Sequence, residues 1–253
     1  MSKRYCVVTP YYKEDREIIE RCLVSVRNQT VPADHIIVAD GHPQDWLDGE
    51  PVRHIKLDRS HADYGNTARG IGALMAVAEK YDAITFLDAD NWYDLDHIEV
   101  CLAAAAAAAG GEDKPDIVLA QRRYVRPDGS WMNLTPPDKP IGETTDTNCY
   151  FFLPRSYYTI GRWCIMPQEM SQHGDQLFYY YCKSERMNFA LTEARTVNYT
   201  CMFASCYRDL NEEPPPGAKG PVDWYKTQDW LKSLSAEELL IMRRRTGLHL
   251  RED

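Results

Sequence analysis

The sequence predicts an α/β fold built on a mixed, mainly parallel sheet flanked by helices. Three observations predict it. Short β-branched runs alternate with longer amphipathic segments from residue 4 to about residue 120. The run "DAITFLD" (82–88) is continuously apolar between its acidic ends, as expected of a central strand covered on both faces. A turn signal at Pro127-Asp128-Gly129 then folds the chain back, which brings antiparallel character to the sheet.

In order, "RYCVVTP" (4–10) is the first expected strand. The segment "EDREIIERCLVSVRNQ" that follows sets Ile18, Ile19, Cys22, Leu23 and Val26 at helical spacing, so one helix face packs on the sheet. "HIIVADG" (35–41) is the second strand, stopped by a glycine, and "VRHIKLD" (52–58) the third. "NTARGIGALMAVAEKY" (66–81) has Asn66 or Thr67 as N-cap and an apolar stripe. After the fourth strand, 82–88, a helix opens near Asp94 or Asp96, with Glu99 in capping-box position to Asp96, and runs through "CLAAAAAAA" to a stop at Gly110-Gly111. The alanine run is structural, because alanine is the strongest helix former and small side chains allow close packing.

"DIVLAQRRYVRPDGSWMNL" (116–134) is expected to be two strands joined by the turn. Past residue 135 regular periodicity weakens until "GDQLFYYYCKSER" (174–186), a helix. "NEEPPPGAKGPVD" (211–223) is expected to be an exposed loop or linker, and "SAEELLIMRRRTG" (235–247) a capped helix with a glycine stop. The expected organisation is one compact domain over 1–210, with a regular half 1–110 and an irregular half 111–210, followed by a Pro-rich linker and helical tail over 211–253.

The net charge of -9 opposes non-specific nucleic-acid binding, which requires Lys and Arg to neutralise phosphates. The run Arg243, Arg244, Arg245 is expected to be a solvated helix end. No stretch resembles a secretory signal, and the longest apolar run, Cys101 to Ala109, falls short of the ~20 residues that span a bilayer, so a soluble, cytoplasmic protein is expected. The eight cysteines show neither a CxxC pair nor zinc-finger spacing, and buried reduced thiols are expected.

"FLDADNWY" (86–93) sets Asp88 and Asp90 just past a buried strand, where an unpaired carboxylate is costly. In open parallel sheets, ligands bind beyond the carboxyl ends of the strands. Thr9, Pro10, Tyr11 and Glu14 follow the first strand, Asp40 the second, and Asp88, Asp90 and Asn91 the fourth. Three aspartates on one rim suit a divalent cation with a nucleotide. Mg²⁺ or Mn²⁺ takes oxygen ligands and uses one or two carboxylates, leaving other positions to phosphate and water. Neither GxGxxG nor GxxxxGK[ST] follows the first strand, which speaks against a dinucleotide dehydrogenase and a P-loop kinase. A bound pyrophosphate would then need the metal and a basic side chain, and Arg69, near a helix N-terminus, is the candidate.

The segments "VVTPYYKEDREIIERCLVSVRNQTVPADHIIVADG" and "YGNTARGIGALMAVAEKYDAITFLDAD" resemble the nucleotide-sugar-binding half of family 2 glycosyltransferases of the GT-A fold, over roughly residues 4–100. The resemblance implies that Thr9 and Tyr11 contact the nucleoside, the tyrosine by stacking on the base, and that Asp40 hydrogen-bonds the base, often uracil. It places Arg69 near the diphosphate and makes Asp88 and Asp90 the ribose and metal motif, with Asp90 the first choice of metal ligand. The family's catalytic acid sits in an acidic pair opening a helix. Here Gly174 precedes Asp175, so the match is Asp175 alone, with Glu169 as the fallback and a helix N-cap as the structural alternative. The family often carries a late metal-ligand histidine; here either the metal lacks one, or His173 or His249 supplies it. The QxxRW motif of processive synthases is absent, "GRW" at 161–163 lacking the glutamine, which favours single addition. Trp92, Trp131, Tyr150 and Trp163 are candidate stacking platforms for an acceptor.

The expected function is metal-dependent, inverting transfer of a sugar from a UDP-sugar to an acceptor hydroxyl, with Mn²⁺ or Mg²⁺ as cofactor. Two alternatives stand beside it. A nucleotidyltransferase would carry a Gly-rich, Arg-containing loop after the first strand, which is missing; a non-catalytic nucleotide-sugar-binding protein would account for the incomplete acidic pair.

Overall fold

In the computed structural model, which describes residues 3–110, 114–134, 145–220 and 224–246, β1 (Tyr5–Tyr11), β2 (Asp34–Ala39), β3 (Arg53–Lys56) and β4 (Ala83–Phe86) form a parallel array. β5 (Trp92–Tyr93), β6 (Ile117–Val125), β7 (Tyr150–Phe152) and β8 (Phe189–Thr200) extend it into one mixed sheet of order β3-β2-β1-β4-β7-β6-β8-β5. β7 runs antiparallel to both β4 and β6, while β8 returns parallel to β6. The expected α/β class is therefore the observed one.

Side-chain alternation along the central strands builds two cores. Val7, Ala83 and Leu87 face one layer, where α1 (Arg16–Arg27) contributes Cys22 and Val26, and α3 (His97–Ala108) contributes Ile98 and Cys101. Ala104, Ala105 and Ala108 of the alanine run pack on that layer. Val8, Ile84 and Phe86 face the other layer, against Ala68 and Ala73 of α2 (Asn66–Ala78). α4 (Tyr157–Ile160) and α6 (Ala204–Asp209) are short; the longer α5 (Gly174–Ser184) brings Phe178 to complete this core beside Trp163. α7 (Trp224–Ser233) and α8 (Ala236–Thr246) close the described chain, with Met242, Leu231 and Leu234 packed near Met170 and Leu177.

α2 lies unusually close to the sheet. A Cβ on Gly72 would fall 2.6 Å from Val8 Cγ1 and 2.9 Å from Val38 Cγ2. Gly72→Ala, which would favour an isolated helix, is therefore expected to destabilise the protein by about 1–3 kcal/mol through overpacking. Urea unfolding checks this; an unchanged midpoint would mean that the helix can lift off β1 and β2 without cost.

Several local expectations change in tertiary context. The 116–134 segment forms one strand, β6, and after the turn only a single bridge, Val125 to Trp131, on the edge of β6 opposite β8. The N-cap of α2 is Gly65 (φ 75°) rather than Asn66 or Thr67, and Asp63 Oδ2 accepts from both the Thr67 amide (2.8 Å) and hydroxyl (2.6 Å). Asp96 caps α3 without a side-chain bond, since Glu99 instead accepts from Thr30 Oγ1 at 2.8 Å. The capping box of α8 does form: Ser235 Oγ accepts from the Glu238 amide at 3.3 Å, and Glu238 Oε2 accepts from the Ser235 amide at 2.9 Å.

The stretch 211–220 is not a free linker. Glu212 pairs with Arg126 (2.6 Å), the Lys219 amide donates to the Met202 carbonyl (2.6 Å), and the Ala204 amide donates to the Lys219 carbonyl (3.0 Å), so the loop is sewn onto the end of β8. Arg243, Arg244 and Arg245 form the last turn of α8, where the Arg244 and Arg245 carbonyls accept from Arg162 Nη1. Gly111 and Gly247, the expected second half of one helix stop and the whole of another, lie outside the described residues. All eight cysteines are free thiols, six of them buried. Among the described residues no helix is long and apolar enough to cross a membrane.

Candidate active site

The carboxyl ends of β1, β2 and β4 open into one cavity of about 600 Å³, to which they bring Pro10, Tyr11, Asp40, Asp88 and Asp90. The loop entering α2 forms a side wall with Tyr64, Gly65 and Asn66. The opposite wall comes from the second half of the chain: Asp146 and Thr147, the start of α5 with Gly174 and Asp175, and Lys219 from the Pro-rich loop.

Asp88 is anchored from two sides. Its Oδ1 accepts from Arg69 Nη2 at 2.6 Å and its Oδ2 from Asn148 Nδ2 at 3.1 Å. Arg69, only 2% exposed, also donates to Asn66 Oδ1 (2.8 Å), and its guanidinium stands 5.1 Å from the Trp163 ring centre and 5.9 Å from that of Phe86. Arg69→Met would leave the Asp88 carboxylate facing an apolar stem, and a loss of about 3 kcal/mol of stability is expected. Thermal unfolding checks it: an unchanged Tm would mean that water fully replaces the guanidinium.

Asp90 is positioned by its backbone, its carbonyl accepting from Arg21 Nη2 (3.1 Å) and Thr200 Oγ1 (2.5 Å). Among the described residues no side chain donates to its carboxylate. Burial first, then the charges of Asp88, Glu14 and Asp146, push that carboxyl up to about 7, with Lys219 acting in the opposite direction. Asp90 thus keeps its acceptor capacity unspent, and Asp88 keeps part of its own. Hard oxygen donors with free lone pairs in an acid-rich wall fit Mg²⁺ or Mn²⁺. Among the described residues no three His, Cys, Asp or Glu side chains converge as a metal cluster, so the chain could supply only part of a coordination shell. His173 is buried and does not line the cavity, and His249 lies outside the described residues.

Asp175 sits in the first turn of α5, one residue inside the helix, whose N-cap is His173. Its Oδ1 accepts from the Gln176 amide at 2.7 Å. Burial, reinforced by Asp146, raises this carboxyl to about 7 as well. Gly174 holds the place of the missing second acid, and packing explains the glycine: a Cβ there would lie 3.1 Å from Asn66 Nδ2 and from Met166 Sδ. Glu169 is exposed and lines a neighbouring cavity instead.

The nucleoside candidates separate. Thr9 does not reach the cavity; it is buried in the opposite layer with Oγ1 2.8 Å from His35 Nε2. Tyr11 touches the cavity, but its ring is packed with Ile19, Leu23 and Leu47, and its hydroxyl accepts from the Gln44 amide and bonds His54 Nε2, each at 2.8 Å. The open ring beside it is Tyr12, 41% exposed and edge-on to His42. Glu14 lines the cavity while accepting from the Tyr12 amide (2.7 Å). Asp40 holds the loop at 60–61, bonding His61 Nδ1 (2.7 Å), the His61 amide (3.0 Å) and Ser60 Oγ (3.2 Å).

None of the four candidate platforms lines the cavity. Tyr150 and Trp163 are core residues, Trp92 lies beneath Arg21, and the exposed Trp131 carries Arg123. The rings that do line it are Tyr11, Tyr12, Tyr64, Tyr199 and Phe203.

Sequence reasoning missed three charged residues of the cavity, Asp63, Asp146 and Lys219. Asp146 accepts from the Asn148 amide (2.9 Å) and pairs with Arg122 Nη1 (3.1 Å), while Asn148 Nδ2 bridges Asp146 and Asp88. The Asp-Thr-Asn triplet was a readable turn signal, though not a site signal. Lys219 carried no local signal at all, because the loop's return to the sheet places it.

A profile described as glycosyl transferase family 2 matches residues 6–168. Among solved structures the chain is similar to S. aureus TarS 1-349 in complex with UDP: 14% identity, TM-score 0.59, 82% of this chain and 63% of that one. It is similar also to S. aureus TarS 1-349 in complex with UDP-GlcNAc: 13% identity, TM-score 0.57, 96% of this chain and 72% of that one. The likeness shows a shared GT-A fold, and in the first comparison the chain spans less than two thirds of its neighbour. No curated protein matches the chain.

Proposed function

This chain belongs to glycosyl transferase family 2, and from that premise we propose that it is a metal-dependent, inverting transferase moving a sugar from a UDP-sugar to an acceptor hydroxyl. The observation that carries the proposal is the pair Asp90 and Asp175, brought by different halves of the chain to one cavity and both held near 7. The TarS complexes with UDP and UDP-GlcNAc support a uridine donor.

Asp90, with Asp88, would hold Mn²⁺ or Mg²⁺. Such a cation, when bound, offsets negative charge on a diphosphate. Lys219 supplies a second positive charge from the opposite wall and would face the leaving group, while Arg69 serves by fixing Asp88 rather than by direct contact. Asp175 accepts the proton of the acceptor hydroxyl as its oxygen attacks the anomeric carbon, and the bond from that carbon to the diphosphate breaks to release UDP. On this proposal the catalytic unit extends past residue 210 to at least Gly220, since Lys219 and Gly220 line the cavity.

Calorimetric titration of UDP, GDP and CDP, each with Mn²⁺ and then with a chelator, tests the proposal. Metal-dependent preference for UDP is the expected result. Absence of binding by all three, or release of pyrophosphate from UTP, would overturn it.

A further inference from the structure

A second cavity, of about 410 Å³, adjoins the first. Ala62, Tyr64 and Gln172 line both, so the two share a wall, and Gln172 stands three residues before Asp175. The outer wall is α7, through Lys226, Thr227 and Trp230. That wall lies beyond the residues 6–168 matched by the family profile.

Resting on the transferase reading above, we infer that the acceptor is a neutral saccharide whose ring lies in this second cavity, between Tyr64 and Trp230, with its reacting hydroxyl directed toward Asp175. Tyr64 is 64% exposed, and Trp230 is half-buried at the other side of the cavity. Aromatic faces of this kind suit the C–H faces of a pyranose. The side chains of Gln168, Gln172 and Glu169 supply both donors and acceptors, which suits a ring bearing several hydroxyls. One carboxylate, Glu169, and one ammonium, Lys226, leave the wall without net charge. A phosphorylated acceptor would require a positive excess that is not there.

The wall is also partly set in advance. Gln168 Nε2 donates to the Ala62 carbonyl (3.3 Å), and the Tyr64 hydroxyl donates to Gln172 Oε1 (3.4 Å). Between these ties the loop holds two non-glycine residues in the left-handed region, Ala62 at φ 51° and Tyr64 at φ 57°. Such conformations are disfavoured and concentrate where a loop has a task.

The test uses the whole protein saturated with UDP and Mg²⁺. Methyl glycosides of glucose, galactose, mannose and N-acetylglucosamine serve as probes in saturation-transfer NMR. At least one is expected to show contact, and Trp230→Ala is expected to weaken that probe about tenfold, some 1.4 kcal/mol, with UDP affinity retained as the check on folding. Because Trp230 also packs near Leu231, the exposed Glu169→Ala is the second variant, with a loss in the same direction. Equal probe contact in wild type and both variants would overturn the inference. So would no contact from any glycoside while UDP is bound, or sugar transfer to a seryl peptide with none to glycosides. Failure of UDP itself to bind would overturn the transferase reading, and this inference with it.

Discussion

Asp175→Asn is expected to lower the transfer rate by about 10²–10⁴-fold while leaving metal-dependent UDP affinity unchanged. The substitution keeps the shape and the bond from the Gln176 amide but removes the ability to take a proton. The other acids of the cavity are already engaged: Asp90 would hold the metal, Glu14 accepts from the Tyr12 amide and Asp63 accepts through Oδ2 from Thr67. Asp146 is held by Arg122 and Asn148, Asp88 by Arg69 and Asn148, and Asp40 by Ser60 and His61. The pH profile supplies a second readout. A base works only when unprotonated, and burial puts this carboxyl at about 7, so the wild-type rate should rise with pH through 7 and level off above it. The residual rate of the variant should lack that rise. Full activity in Asp175→Asn, or a wild-type profile already flat from pH 5, would remove Asp175 from the chemistry.

Asp90→Asn is expected to have two opposite effects. In the presence of Mn²⁺, UDP affinity should fall at least about 100-fold, given that even groups supporting a metal ligand are worth 10–100-fold. In chelator, the same variant should be more stable than wild type at alkaline pH. An aspartate released on unfolding titrates near 3.9, whereas Asp90 titrates at about 7 in the folded protein. Between those values the native state holds a proton that the unfolded state gives up. Wild-type stability therefore falls as pH rises from about 4 to 7, and the loss is complete above 7. The asparagine variant avoids that loss, worth roughly 2–4 kcal/mol at pH 8. Melting curves at pH 5 and pH 8 in chelator decide it: a variant no more stable at pH 8 would mean that Asp90 is well solvated. Unchanged Mn²⁺ dependence of UDP binding would move the metal to other ligands.

These two aspartates were legible in the sequence because each depends on a local rule. Asp90 follows a continuous apolar strand, and Asp175 opens an amphipathic helix. The same locality made β1 to β4, α1 to α3, α5 and α8 readable, since a strand's alternation, a helix's 3.6-residue period and a Ser–Glu capping box are written within a dozen residues. The mixed character of the sheet was expected from a hairpin at 127–129, whereas β7, which no local pattern announced, supplies it.

What failed depended on contacts far apart in the chain. Thr9 and Tyr11 sit on the expected strand, but which neighbour fills the space beside each is decided by His35 and by His54, so Thr9 turns away and Tyr11 is sequestered while Tyr12 stays open. Glu99 left its capping box for Thr30, and the 126–134 segment keeps only the Val125–Trp131 bridge of its expected hairpin. The class of fold, the strand-end acids and the helix bearing Asp175 were thus determined by the sequence alone, through short-range periodicity and capping. Their meeting with Asp146, Lys219 and the α7 wall was decided only by tertiary structure, because pairings such as Asn148 with Asp88 and Lys219 with Met202 obey no local pattern and form only once the sheet has brought the segments together.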